Sequence, residues 1–340
     1  MKNSQILKIG SIIFLTGFIL ILISWLYTYP IRITDISEKV LYQFNILIWP
    51  GIILSMIGLF SIGYLSKNKI LKAFSASIFP TLLYITNFFY EYFPSSDSGN
   101  VRGMFHVFQR TGIDHEIIQY FEFPNYFILN ETIRLSTFLD EKGIALISIF
   151  VYGMLLGLFL LLFYSNIKRN DENIISPILL VFVYFIGIFS FLNFQWVPQT
   201  LALVLFFILL FISTYQTSKK NRYLWNILTI IVFLSLLFTH PIIPLIFLTY
   251  NFILIFDKKY LFQSFVIVMS LYIIITTYYT VFHLELYIDV FKESIQGFGA
   301  EYSSYVADSI RSPEGLTSQI ISLINRIRIP GIWFLTFLGS

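Results

Sequence analysis

The chain has 340 residues, of which 57% are hydrophobic and only 12% charged, and its mean hydropathy is +0.77. Soluble domains carry about 25% charged residues, so this composition excludes a water-soluble globular protein and indicates an integral membrane chain. The formal net charge of +3 is small and scattered, which gives no footing for a nucleic-acid partner, and with no cysteine there is neither a disulfide framework nor a thiolate metal site.

A spanning helix needs about 20 predominantly apolar residues. The first, Leu7 to Thr28, follows a basic flank of Lys2 and Lys8 like that of a secretory signal. Its apolar run is longer than the roughly 7 to 15 residues of a signal core, and no small-residue cleavage site follows, so it is expected to remain as an anchor. Further spans are expected at Phe44 to Leu65, Ala73 to Tyr90, Ile144 to Tyr164, Ile175 to Leu192, Gln199 to Tyr215, Leu224 to Thr239, Ile242 to Phe256 and Leu261 to Phe282. The last apolar run, from Ile329, is too short to cross a bilayer and is expected to be either a tenth span cut short in a fragment, the favoured reading, or an interfacial segment. The expected fold is all-α: a single polytopic membrane helix bundle over residues 1–340, with about nine or ten transmembrane helices and external loops carrying short interfacial helices.

Basic residues set the orientation. Lys2 and Lys8, then Lys67, Lys69 and Lys72, then Lys168 and Arg169, then Lys219, Lys220 and Arg222, then Lys258 and Lys259 fall in alternate short connections. The positive-inside rule places those connections, and the N-terminus, in the cytoplasm. The long connections 91–142 and 283–328 then face outward, with residues 30–43, 193–198 and a turn at His240 and Pro241. The expected location is the cytoplasmic membrane, with any active site external.

The 91–142 loop is a polar island in an apolar chain, and polar groups beside a bilayer persist where protein or a watery cavity satisfies them. Pro94, Ser95, Ser96, Asp97, Ser98 and Gly99 break the preceding helix. Residues 100–111 then form a short amphipathic helix with Val101, Phe105 and Phe108 on one side. Arg102, His106 and Arg110 recur every four residues and share a face. That row suits an anionic phosphate ligand, with Asp97 as proton acceptor; equally, it suits an interfacial helix resting on lipid headgroups. Glu122 precedes Pro124 at a helix start, where it either does chemistry or complements the helix dipole.

The order of parts is a membrane helix, Asp97-Ser98 just outside it, a short helix with His106, a Gly turn, Tyr120-x-x-x-Pro124, and another membrane helix. It resembles the first external loop of the GT-C superfamily of membrane glycosyltransferases. Trp196-Val197-Pro198-Gln199-Thr200-Leu201-Ala202 and Phe238-Thr239-His240-Pro241 resemble later parts of the same group, so the likeness touches residues 80–260. On that resemblance residues 1–72 supply two extra N-terminal helices, and residues 73–340 the family-like ones. The resemblance implies a catalytic or metal-binding carboxylate in the first external loop, which places Asp97 in that role. Asp97 stands alone rather than in a paired acidic motif, and this leaves metal dependence open. The implied donor is a sugar on polyprenyl phosphate, already resident among the membrane lipids.

Such a transfer needs a carboxylate to deprotonate the acceptor hydroxyl and cations to stabilise the departing phosphate. Asp97 fits the first role, and Arg102 with Arg110 the second. Arg326 and Arg328, beside the last apolar run, fit either the lipid-linked phosphate or simple interfacial anchoring. His240 either bonds substrate or caps its turn, and Gln199, after Pro198 at a helix start, either contacts substrate or is a surface polar residue. The four histidines show no metal-ligand spacing, so a zinc site is not expected. Two other readings share the many helices and external arginines: a surface-polysaccharide polymerase, and a flippase or transporter of lipid-linked saccharides. Coupled transport is disfavoured by the scarcity of charge inside the spans.

Overall fold

A computed structural model describes residues 3–30, 45–89, 96–112, 123–170, 176–187, 197–215, 222–240, 243–257 and 265–277. Among these residues there is no strand, and the chain is a multi-pass helical membrane protein. In chain order the helices are α1 (Asn3–Thr28), α2 (Ile48–Leu65), α3 (Lys69–Tyr84), α4 (Ser96–Thr111), α5 (Asn125–Thr137), α6 (Glu141–Asn170), α7 (Pro177–Gly187), α8 (Pro198–Tyr215), α9 (Arg222–Leu237), α10 (Ile243–Asp257) and α11 (Phe265–Thr277). Leu7–Thr28, Ile48–Leu65, Glu141–Ile167 and Pro198–Tyr215 are each long and apolar enough to cross a bilayer. Of the other expected spans, the described parts are helical over Lys69–Tyr84, Pro177–Gly187, Arg222–Leu237, Ile243–Asp257 and Phe265–Thr277. Two units emerge, Met1–Phe185 with Phe189–Tyr272, and Ile186–Ile188 with Ile273–Ser340; the contacts below lie within the first.

Lipid tails are as apolar as leucine, so helices in a bilayer associate by close packing rather than by hiding apolar surface. The sequence supplies small residues for this purpose. Gly10 and Gly17 of α1 meet Gly58 and Gly51 of the antiparallel α2, and a Cβ on Gly17 or Gly58 would collide with the partner's backbone. The opposite side of α1 leaves Ile9, Ile12, Leu15, Ile19, Leu22 and Leu26 exposed, a face suited to lipid. Asn68 starts α3: its side-chain oxygen accepts from the Ile70 N–H at 2.8 Å, satisfying an otherwise orphaned donor of the first turn.

The expected single helix from Ala73 to Tyr90 is divided, with α3 ending at Tyr84 and a 3-10 segment, Ile85–Phe89, following it. Pro80 lies inside α3 and carries no N–H to return to the Ala76 carbonyl one turn back. Helix α6 covers that carbonyl: Gly157 sits against it so closely that a Cβ there would strike the Ala76 oxygen, and would lie 2.9 Å from Pro80 Cγ. A glycine in one helix thus answers a proline in another. Deeper in the same region Phe79 stacks on Phe182 of α7, with ring centroids 3.7 Å apart.

The basic connection at Lys67, Lys69 and Lys72 joins α2 to α3 at one end of the bundle. At the other end, the Trp25 indole of α1 donates to the Phe88 carbonyl at 3.1 Å, and Lys142 of α6 lies 5.3 Å over the Tyr29 ring. The ends of α1 and α3 and the start of α6 therefore meet, as alternating connections require.

Candidate functional site at the polar end of the bundle

Two short helices, α4 and α5, are anchored at the end where α6 begins. Val101 and Phe105 of α4 are buried, and Phe108 packs on Phe127 of α5 with centroids 5.9 Å apart, so the expected apolar face is the one that docks. The helix begins at Ser96, earlier than residue 100, which puts Asp97 in its first turn.

The basic row faces α6. The Arg102 Nε donates to Glu141 Oε2 at 3.0 Å, and the His106 Nδ1 lies 2.8 Å from Glu141 Oε1. One carboxylate thus takes both side chains, one oxygen each. Glu141 is 15% exposed, whereas Arg102 and His106 are 42% and 46% exposed, so the two nitrogen donors stand outward and the carboxylate beneath them. Capping of α6 does not occupy Glu141, because Asp140 Oδ1 accepts from the Gly143 N–H at 2.8 Å. Arg110, in the last turn of α4, is exposed.

Helix α5 acts as a strut. At its start the Asn125 N–H donates to the Phe238 carbonyl at 3.1 Å, while its side-chain amide donates to the Ser235 carbonyl at 3.1 Å and to the Thr239 hydroxyl at 3.0 Å. Midway, Ser148 of α6 donates to the buried Asn130 at 3.0 Å. On the outer side Gln109 of α4 donates to Glu131 at 3.1 Å, and Arg134 holds the same carboxylate through Nε at 2.8 Å and Nη2 at 2.6 Å. The hydrogen bonds from Arg134 hold the Glu131 carboxyl below its usual range. Burial pushes the Tyr126 hydroxyl well above its ordinary value, so it stays protonated.

His240 closes α9. It is 8% exposed, its Nδ1 accepts from the Ile243 N–H at 3.4 Å, and burial holds the imidazole down at about 4, neutral at pH 7. With Nδ1 an acceptor, Nε2 carries the proton. An unfolded imidazole takes up its proton near 6.5, so the stability from burying it neutral is complete above that pH and is lost as pH falls from 6.5 to about 4. Glu131, depressed in the folded state, adds loss in the same direction at lower pH. In detergent, His240→Gln is expected to flatten the fall of melting temperature between pH 6.5 and 4. An unaltered slope would move the effect to other groups.

Of the residues expected from the sequence, Arg102 and His106 share one carboxylate and His240 lies beside the anchor of α5. Gln199 lies in the first turn of α8, and its Oε1 is buried with no hydrogen-bond partner among the described residues. Asp97 is placed through its backbone only, and Glu122, Arg326 and Arg328 lie outside the described residues, as does the 283–328 loop. Glu141, Asn125 and Thr239 were not foreseen. Glu141 carried a signal, a carboxylate at the head of a long apolar run; Thr239 was visible only as part of the Phe238-Thr239-His240-Pro241 turn and Asn125 carried no signal, because only the tertiary fold brings the two together. Among the described residues no three His, Asp or Glu side chains gather as ligands for a divalent ion. No protein-family model, curated protein or solved structure matches this chain.

Proposed function

We propose that this chain is a GT-C-type glycosyltransferase of the cytoplasmic membrane, moving a sugar from a polyprenyl-phosphate donor to an acceptor on the external face, with its N-terminus in the cytoplasm. The observation that carries this reading is the bonding of Asn125 to Ser235, Phe238 and Thr239. It joins the end of the Tyr120-x-x-x-Pro124 stretch to the Phe238-Thr239-His240-Pro241 turn, two of the segments that resemble the family. The same strut carries α4, with Asp97 in its first turn, at an end of the bundle whose helices present apolar faces to lipid. A lipid-linked donor would reach that end from the side without leaving the bilayer.

In this reading Asp97 accepts the proton of the acceptor hydroxyl as its oxygen attacks the anomeric carbon. The bond from that carbon to the phosphate oxygen breaks, and the negative charge left on the lipid phosphate is stabilised by Arg102 and Arg110. His106, Glu122, Gln199, His240, Arg326 and Arg328 are the remaining proposed substrate contacts. The test is a transfer assay in proteoliposomes holding the full chain and a panel of radiolabelled polyprenyl-phosphate monosaccharides. One donor is expected to be consumed with a single sugar added per acceptor. Inertness toward every donor would overturn the assignment, and addition of oligosaccharide blocks would replace it with a polymerase.

A further inference from the structure

We infer that Arg102 and His106 form a phosphate-binding fork which Glu141 occupies as an internal anion, and that a phosphate group binds by displacing that carboxylate. The inference goes beyond the reading above: it concerns phosphate capture, whether or not a sugar is transferred.

Three features of the α4–α6 contact carry it. First, the two carboxylate oxygens are divided between the two donors, Oε2 to Arg102 at 3.0 Å and Oε1 to His106 at 2.8 Å. A phosphate ester presents two unesterified oxygens to a pair of donors in the same manner, and guanidinium nitrogens accept either anion. Second, the donors are nearly half exposed while Glu141 is largely covered, so an incoming anion meets the guanidinium and the imidazole before it meets the carboxylate. Partly exposed ion pairs contribute little to stability, so exchanging one anion for another costs the fold little. Third, Glu141 is not needed to cap its helix: Asp140 caps α6, and Glu141, in the first turn, stays near the helix dipole's positive end whichever anion holds the fork. Arg110, two turns further along α4 and exposed, adds charge toward the newcomer.

The test uses the full chain in nanodiscs of zwitterionic phosphatidylcholine, with labelled farnesyl phosphate as probe and empty nanodiscs as background. The wild type is expected to bind it saturably. Removing the internal competitor by Glu141→Gln should tighten the dissociation constant roughly two- to fivefold, the scale of a partly exposed pair, and Arg102→Gln should weaken it by a similar factor. Glu141→Gln that is unfolded by melting temperature would be replaced by Glu141→Asp, a shorter carboxylate expected to tighten binding by a smaller factor. Unchanged or weakened binding in the folded variant overturns the inference, as does a wild type without saturable binding. Competition by inorganic phosphate at equal concentration would mark the site as one for free phosphate; its failure would mark a lipid headgroup. Both of these uphold the exchange, and they are independent of the transfer assay.

Discussion

Asp97→Asn is expected to leave the chain folded and inserted while reducing sugar transfer by about 100-fold or more. The two halves of that expectation have different physical origins. Asparagine has the shape of aspartate and fits the same backbone, so the fold is expected to survive the change. The burial of Val101 and Phe105 and the ties through Glu141 are untouched by the change. An amide, however, is no proton acceptor at neutral pH, and a positioned general base typically contributes about 10²–10⁴ in rate. The measurement is transfer in proteoliposomes normalised to folded protein, beside the melting temperature. Transfer at the wild-type rate in a folded variant would remove Asp97 from the chemistry and send the search for the base elsewhere.

The second large effect is on stability. Gly157→Leu is expected to destabilise the chain by about 1–3 kcal/mol or more, the usual scale of overpacking. The upper end applies because the obstacle is the backbone carbonyl of Ala76, backed by the Pro80 ring, and neither rotates aside as a flexible side chain would. Separating α6 from α3 would also shift Glu141, which heads α6, relative to Phe88, which follows α3, so the polar end should loosen with the seam. Gly103→Ala is the matched control: among the described residues nothing lies within 4 Å of a Cβ at that position, and replacing a helical glycine by alanine favours the helix by about 1 kcal/mol. Melting temperatures of both variants in one detergent would check the pair. Equal behaviour of Gly157→Leu and wild type would mean that the seam is not closely packed.

Much of the bundle was legible because its signals are local. Runs of apolar residues bounded by Lys67, Lys69, Lys72 or Arg222 mark where helices begin and end, and Val101, Phe105 and Phe108 at helical spacing gave the docking face of α4 before any contact was known. Pro80 was equally visible, yet the glycine that meets its turn, Gly157 of α6, is known only from the packing of the two helices. The candidate site was legible only in part. Arg102 and His106 were recognisable as a row, but a row of cations on one helix does not say which anion faces it, and Glu141 lies 39 positions from Arg102. The anchoring of Asn125 on α9 was still less accessible, since nothing local distinguishes it from a turn residue beside Pro124.

That anchor also bears on the order in which the protein is made. Asn125 is separated from Ser235 and Thr239 by 110 and 114 positions. At about 5–20 residues per second of synthesis, α5 waits several seconds or longer before its partner exists. During that interval the hydrogen bonds of Asn125 to α9 and its following turn cannot form, so this tie of the polar end is made by a late closing event.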